Sequence, residues 1–197
     1  ASREERRRIQ QWVRDFIGDD EDQTGEAFLF ENEPVGQSVG MIMVLEKFFL
    51  TTITSVKFTG NQLADNTFKQ QLCNHLQNFE NLRCLQISNN RLSNQSLEAL
   101  GYLFQKCQCL EDIDLSYNIL GSSGSEYPIL GGGTQGERES MDFFLLNLFT
   151  ELNNPKKLIL SNNQLTEESV YPLVKYIFAN FECGLTHLDL RNNQFTP

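Results

Sequence analysis

One asparagine-containing pattern recurs five times along the chain and constrains its fold more than any other feature. The segments LRCLQISNNRL from Leu82, LEDIDLSYNIL from Leu110 and LTHLDLRNNQF from Leu185 all read L-x-x-L-x-L-x-x-N-x-L, with Phe accepted last. ITSVKFTGNQL from Ile53 and PKKLILSNNQL from Pro155 fit with small departures. The asparagines of the pattern are Asn61, Asn90, Asn118, Asn163 and Asn193.

The spacing of these asparagines defines a repeating unit. The intervals are 29, 28, 45 and 30 residues, so three agree on one unit and the other equals that unit plus about 17 residues. Helical periodicity lies between the signatures, as in SLEALGYLFQKC, where Leu97, Leu100 and Phe104 share one face. Each unit is therefore predicted to be a short strand followed by a helix.

This pattern is the leucine-rich-repeat signature, and over roughly residues 28–197 the chain resembles the ribonuclease-inhibitor-like class of such repeats. The resemblance implies an α/β fold, a right-handed solenoid bent into a horseshoe arc, with a parallel inner sheet and outer helices. It implies about six units, the first degenerate and the last incomplete. The class is a scaffold used for many activities, so it specifies function less than fold.

Strand alternation divides the residues of each repeat between two faces of the sheet. Leu85 and Ile87, and likewise Ile113 and Leu115, are predicted to point into the core. The asparagine after each strand is predicted to turn inward and satisfy buried backbone groups, which would stack the five asparagines into a structural ladder.

The remaining strand residues are predicted to face solvent on the inner, concave side of the sheet. The candidate partner-binding residues are Lys57, Gln86, Asp112, Asp114, Lys157, Ile159, His187, Asp189 and Arg191. The same alternation predicts exposure of Thr59, Ser88, Ser116 and Ser161. Asp112, Asp114 and Asp189 form the most distinctive group of polar side chains among these candidates. An ordinary solvated face is the alternative to a binding face.

Residues 20–31, DEDQTGEAFLFE, match a calcium-loop pattern except for Thr24. A calcium loop also needs a helix that continues from Glu31, and Pro34 and Gly36 oppose one there.

The repeat gives this acidic stretch a different interpretation. A step of 28 residues back from the strand of the Ile53 repeat reaches Phe28 and Phe30, which predicts a degenerate first repeat with Glu33 at the asparagine position. We therefore expect no calcium site, and we interpret residues 19–27 as an acidic connector.

The N-terminal residues 1–18 combine apolar residues at helical spacing with several arginines and end at Gly18. They are predicted to form an amphipathic helix that caps the core of the first repeat. A basic helix offered to a partner or to an anionic membrane is the alternative.

The extra residues of the long interval fall in GSSGSEYPILGGGTQGERES, residues 121–140. The many glycines and serines predict a flexible loop. Its apolar tetrad makes Tyr127, Ile129 and Leu130 candidates for a second partner contact.

Composition narrows the possible functions. The formal net charge of −10 argues against a general nucleic-acid binder, which would need Lys and Arg to neutralise phosphates. No segment approaches the roughly 18 consecutive apolar residues of a membrane span. His75 and His187 belong to no recognisable catalytic or metal pattern. We therefore expect no catalytic residue, no metal and no cofactor, and we expect that the chain is not an enzyme. The expected partner is a protein.

The five cysteines are an odd number without the spacing of a disulfide-rich domain. We expect reduced thiols, which fits a cytoplasmic or nuclear protein.

The leading functional prediction is a protein-binding adaptor or recognition scaffold that uses the concave sheet face, with residues 121–140 as a second contact. The resemblance leaves three alternatives open, which are a small-GTPase regulator similar to Ran GTPase-activating protein, an actin-filament cap similar to the tropomodulin C-terminal domain, and a fragment of a nucleotide-binding innate sensor. The last repeat stops after its strand, so we expect the chain to belong to a longer array or a larger assembly.

Overall fold

The computed structural model describes residues 27–49, 51, 53–121, 144–180 and 183–195, together with positions 4, 7 and 11. Six parallel strands form one open sheet in the order of the chain. They are β1 (Ala27–Glu31), β2 (Ser55–Thr59), β3 (Cys84–Ser88), β4 (Asp112–Asp114), β5 (Lys157–Ile159) and β6 (His187–Asp189). Each repeat therefore adds one strand beside the strand of the previous repeat, as predicted.

Helices occupy the connections between the strands. They are α1 (Val35–Phe49), α2 (Asp65–Thr67), a π-helical segment (Phe68–Leu72), α3 (Cys73–Leu76), a 3₁₀ turn (Asn94–Ser96), α4 (Leu97–Lys106), α5 (Phe144–Thr150) and α6 (Glu167–Ala179). The predicted helix face of Leu97, Leu100 and Phe104 is buried, which confirms that assignment.

Strand β1 is the degenerate first repeat that the 28-residue step predicted. Phe28 pairs in register with Val56, and Phe30 with Phe58. All four side chains are buried, and the rings of Phe30 and Phe58 stack with centroids 4.9 Å apart. The predicted register is confirmed, and the second half of the calcium-like stretch belongs to the sheet.

Helix α1 begins at Val35, after Pro34, so Glu31 ends a strand instead of opening a helix. The expectation that no helix continues from Glu31 is confirmed, although Gly36 itself lies in the first turn of the separate helix α1. A Cβ atom at Gly36 would have no neighbouring atom within 4 Å, so this glycine does not disturb the packing of the helix. The earlier residues of the stretch, 20–26, lie outside the described residues.

The core lies between the sheet and the helices. Along the first buried row, the paired residues are Phe28, Val56, Leu85, Ile113, Leu158 and Leu188. The corresponding second row is Phe30, Phe58, Ile87, Leu115, Leu160 and Leu190. Every member is buried except Leu188 on β6 and Leu190 directly after it, which are half-buried. A buried side chain of this size stabilises the fold by about 1.5–3 kcal/mol, so stacking of repeats supplies the core.

An asparagine after each strand from β2 to β6 ties its repeat to the preceding one. Asn90 is typical, because its Nδ2 donates to the carbonyl oxygens of Phe58 at 3.0 Å and Ser88 at 2.9 Å. Its Oδ1 accepts from the backbone N–H groups of Asn61 at 3.1 Å and Leu63 at 3.0 Å. The related contacts are made by Asn61, Asn118, Asn163 and Asn193. These side chains therefore satisfy backbone groups that the turns would leave unpaired.

At the N-terminus, positions 4, 7 and 11 are helical and exposed. The rest of the predicted capping helix, residues 1–18, and the connector up to residue 26 lie outside the described residues. The capping role and the right-handed horseshoe shape stay predictions.

Candidate partner-binding face

The sheet surface opposite the helices carries two rows of side chains that alternate with the buried ones, and we call these rows the exposed sheet face. The first row is Ala27, Ser55, Cys84, Asp112, Lys157 and His187. The second row is Leu29, Lys57, Gln86, Asp114, Ile159 and Asp189. All of them are half-buried or exposed. Every predicted partner-binding residue of the sheet lies in these rows except Arg191, which follows β6.

The predicted exposure of a third row was wrong for its serines. Ser88, Ser116 and Ser161 are only 5%, 6% and 6% exposed, whereas Thr59 is half-buried. A neighbouring polar side chain covers the first of these serines: Gln86 Nε2 donates to the hydroxyl oxygens of Ser88 at 2.8 Å and Thr59 at 3.3 Å. Alternation gave the correct face of the sheet, but the accessibility depends on the larger neighbours.

Charge is concentrated on one half of the exposed sheet face. In the two rows, strands β1–β3 carry one charged residue, Lys57. Strands β4–β6 carry Asp112, Asp114, Lys157 and Asp189. The charged side chains of these two rows therefore lie mainly on the second half of the sheet.

Asp189 is held by a residue of its own repeat. Arg191 donates from Nε to Oδ1 at 2.9 Å and from a terminal nitrogen to Oδ2 at 2.8 Å, which is a two-bond fork. The Arg191 hydrogen bond lowers the pKa of the Asp189 carboxyl to about 2, against the raising effect of partial burial. At neutral pH the Asp189 carboxylate is therefore ionised, and its charge is neutralised by Arg191.

Asp114 has a different environment. Its Oδ1 accepts from the backbone N–H of Ser116 at 2.9 Å, and its neighbours in register are Gln86 and Ile159. Among the residues that the structure describes, no cationic side chain forms an ion pair with Asp114. Asp112, by contrast, lies directly across from Lys157.

The structure adds Tyr117, which the sequence reasoning missed. The residue before each turn glutamate or asparagine has a left-handed backbone, and the six are Asn32, Gly60, Asn89, Tyr117, Asn162 and Asn192. Asn and Gly adopt this conformation at low cost, whereas a bulky residue does not. Tyr117 has φ +54° and is 58% exposed. The sequence contains a signal for this residue. The three residues that end at the ladder asparagine are SYN in this repeat, whereas they are TGN, SNN or RNN in the other full repeats.

The side chain of Tyr117 lies near the Asp189–Arg191 pair. Its backbone N–H donates to the carbonyl oxygen of Ser161 on the neighbouring repeat at 3.0 Å. Asp189 raises the pKa of the Arg191 guanidinium through its hydrogen bond and charge, against the lowering effect of desolvation, and Tyr117 contributes a smaller electrostatic effect in the raising direction. An exposed aromatic ring therefore borders the charged half of the exposed sheet face.

The predicted loop contacts Tyr127, Ile129 and Leu130 fall in residues 122–143, which lie outside the described residues. The pairing of β4 with β5, with Ile113 opposite Leu158, confirms that the 45-residue interval contains an insertion between adjacent strands.

The other chemically reactive side chains lie apart from one another. His75 on α3 has its Nδ1 2.5 Å from Glu46 Oε2, on the helical side of the fold, whereas His187 is in the first row of the exposed sheet face. All five cysteines are free thiols, and burial raises the pKa of Cys73 to about 11 and that of Cys107 to about 12. Such thiols are poor nucleophiles.

Within the described ranges, no three His, Cys, Asp or Glu side chains are grouped so that they could hold a metal ion. None of the helices described has both the length and the apolar character needed to cross a membrane.

Family comparison agrees with the geometry. A family model described as Leucine Rich Repeat matches residues 81–103, which include β3 and its ladder asparagine. A second, described as Leucine Rich repeat, matches residues 184–197 around β6. The chain is a leucine-rich-repeat protein. No curated protein matches its sequence. Leucine-rich repeats generally serve as protein-interaction modules and not as catalysts.

Proposed function

We propose that this leucine-rich-repeat protein is a recognition scaffold that binds another protein through its exposed sheet face. The observation that carries the proposal is the β4–β6 half of that face, where Ile159 lies between Asp114 and Asp189 on adjacent strands. An apolar side chain between charged ones is the usual composition of a protein-binding patch.

The sheet supports this role because it holds the side chains in fixed positions. Neighbouring strands lie about 4.8 Å apart, and the asparagine ladder fixes the turns that follow them. Gln86 is further held by Ser88 and Thr59. A preorganised surface loses less conformational entropy on binding than a mobile one.

Binding without catalysis is part of the proposal. The raised pKa values of Cys73 and Cys107 disfavour nucleophilic thiolates, and Asp189 is engaged by Arg191. Five free cysteines support a reducing compartment, the cytoplasm or the nucleus. Helices in the connections and intervals of 28 to 30 residues support the ribonuclease-inhibitor-like class and its concave sheet.

The proposal is tested with Ile159→Ser. Peptides are selected from a phage-displayed random library on the immobilised protein, and their affinities are measured by fluorescence anisotropy. Ile159 is half-buried at the centre of the β4–β6 half of the face, so its loss should leave the fold intact and weaken binding on the order of tenfold.

The matched control is Glu98→Lys, on an exposed position of α4 on the opposite side of the sheet, which should leave affinity unchanged. Two outcomes would contradict the proposal. One is that the selected peptides bind the Ile159→Ser protein with the same affinity as the unsubstituted protein. The other is that the selection yields no binding peptide.

A further inference from the structure

The charged half of the exposed sheet face is not electrically balanced by its own residues. Asp189 is neutralised by the fork from Arg191, whereas Asp112 has Lys157 as its register neighbour on β5 without forming an ion pair with it. Asp114 lies in register between an amide, Gln86, and an aliphatic side chain, Ile159. Asp114 is thus the unpaired carboxylate of these two rows that has no cationic residue at either of its register-paired positions.

Apolar surface adjoins this carboxylate on the side of the ion pair. Ile159 is the register neighbour of Asp114, and Tyr117 follows Asp114 by three residues along the chain. The backbone of Tyr117 is bonded to Ser161, two residues beyond Ile159 on the next repeat. The face therefore combines a carboxylate, an aliphatic side chain and an exposed aromatic ring within two neighbouring repeats.

This combination fits one kind of partner side chain. Arginine and lysine carry a cation at the end of an apolar stem, and the stem packs on apolar or aromatic surface while the charge pairs with a carboxylate. An acidic partner would instead meet the uncompensated charge of Asp114. The chain as a whole has a formal net charge of −10, which also favours approach of a basic partner.

Resting on the proposed function, we infer that the partner is a protein segment carrying an exposed arginine or lysine, whose cation pairs with Asp114 and whose stem packs on Ile159 and Tyr117. Tyr117 is then a specificity-determining residue of this surface. Its left-handed backbone is less favourable for tyrosine than for the Asn or Gly found in the other repeats, and a contact between its ring and the partner accounts for this strained residue.

The test uses the same peptide library, selected on the 197-residue chain. Peptides whose binding depends on Ile159 should contain arginine or lysine. Asp114→Asn should weaken them about tenfold, because it removes the charge. Asparagine keeps an oxygen that can accept from Ser116, so the turn is preserved. The control Lys57→Gln, on the β1–β3 half, should leave these affinities unchanged.

Tyr117→Asn separates a binding role from a structural one. It should weaken peptide binding on the order of tenfold and at the same time raise Tm by about 2–4 °C, because asparagine accepts a left-handed backbone more easily. A variant that loses both affinity and stability would show that the tyrosine is structural and would overturn the inference.

The two proposals fail in different ways. Peptides that depend on Ile159 but lack basic residues, or that bind Asp114→Asn unchanged, would overturn the inference and leave the proposed function standing. A library that yields no Ile159-dependent peptide would overturn the proposed function itself.

Discussion

The backbone at single turn positions decides which residues the repeats tolerate. At the left-handed position before the turn asparagine, Gly60 has φ +71° and lies against the side chain of Asn32. Tyr117 occupies the same position in its own repeat with φ +54°. The two residues differ in the cost of this conformation. At Gly60 the absence of a Cβ atom prevents both backbone strain and a clash, whereas Tyr117 has a strained backbone and an exposed ring.

Gly60→Ala should destabilise the fold for two reasons. A left-handed backbone costs an alanine about 1–2 kcal/mol, and its Cβ would lie 2.4 Å from Asn32 Oδ1, so that side chain would have to move. Urea unfolding followed by circular dichroism measures the loss. Gly40→Ala is the control in α1, where a Cβ meets no atom within 4 Å and should stabilise by about 0.5–1 kcal/mol. Equal stability of the two variants would contradict this account.

The cysteines should differ in reactivity according to their burial. Burial raises the pKa of Cys73 to about 11 and of Cys107 to about 12, so both remain largely protonated thiols at pH 8. Iodoacetamide should therefore modify the less buried Cys84, Cys109 and Cys183 first, as measured by peptide mass spectrometry on the native protein. Modification of Cys107 ahead of Cys84 would be the opposite of what the structure predicts.

At the scale of whole elements, stability depends on hydrogen bonds that run between repeats. Asn118 donates to the carbonyl oxygens of Ile87 at 2.7 Å and Leu115 at 3.0 Å, and accepts from the backbone N–H of Leu92 at 3.1 Å. A single buried side chain thus satisfies groups on two strands and the turn between them.

Asn118→Ala should cost about 3 kcal/mol or more, because it leaves buried backbone donors and acceptors without partners. Chemical unfolding of the variant gives the value. Asn74→Ala is the matched control, since Asn74 is exposed on α3, and it should change stability by less than about 0.5 kcal/mol. If Asn118→Ala were as stable as Asn74→Ala, the asparagine ladder would not be a source of stability.

The elements themselves were largely predictable, and their surfaces were not. Strand positions and the register of Phe28 and Phe30 followed from a pattern that repeats in the sequence. The burial of Ser116 and Ser161, the π-helical segment Phe68–Leu72 and the position of the Tyr117 ring depend on neighbouring repeats. Periodicity records which residues face the core, but accessibility on the other face depends on the sizes of adjacent side chains.

Over the whole molecule, the described core is not equally closed at every strand. Leu85 and Ile87 on β3 are fully buried, whereas Leu188 and Leu190 at β6 are half-buried. Because each repeat packs against the adjacent repeats, the local stability of a repeat depends on the repeats on both of its sides.

Hydrogen exchange should therefore show a gradient along the sheet. Backbone amides of β3 should exchange slowest, and those of β6 should exchange at least about tenfold faster, because local opening at β6 exposes less buried surface. Mass spectrometry of peptic fragments resolves the two strands. Uniform protection across the sheet would show that β6 is as firmly packed as β3.

The central claim, that partners bind the exposed sheet face at β4–β6, is tested most directly by photo-crosslinking. A peptide selected on the protein carries a photoreactive group beside its basic residue, and mass spectrometry locates its attachment. The account predicts attachment near Asp114, Ile159 or Tyr117, and competition by the unmodified peptide. Attachment mainly to the helices α1, α4 or α6, with these three residues unmodified, would contradict it.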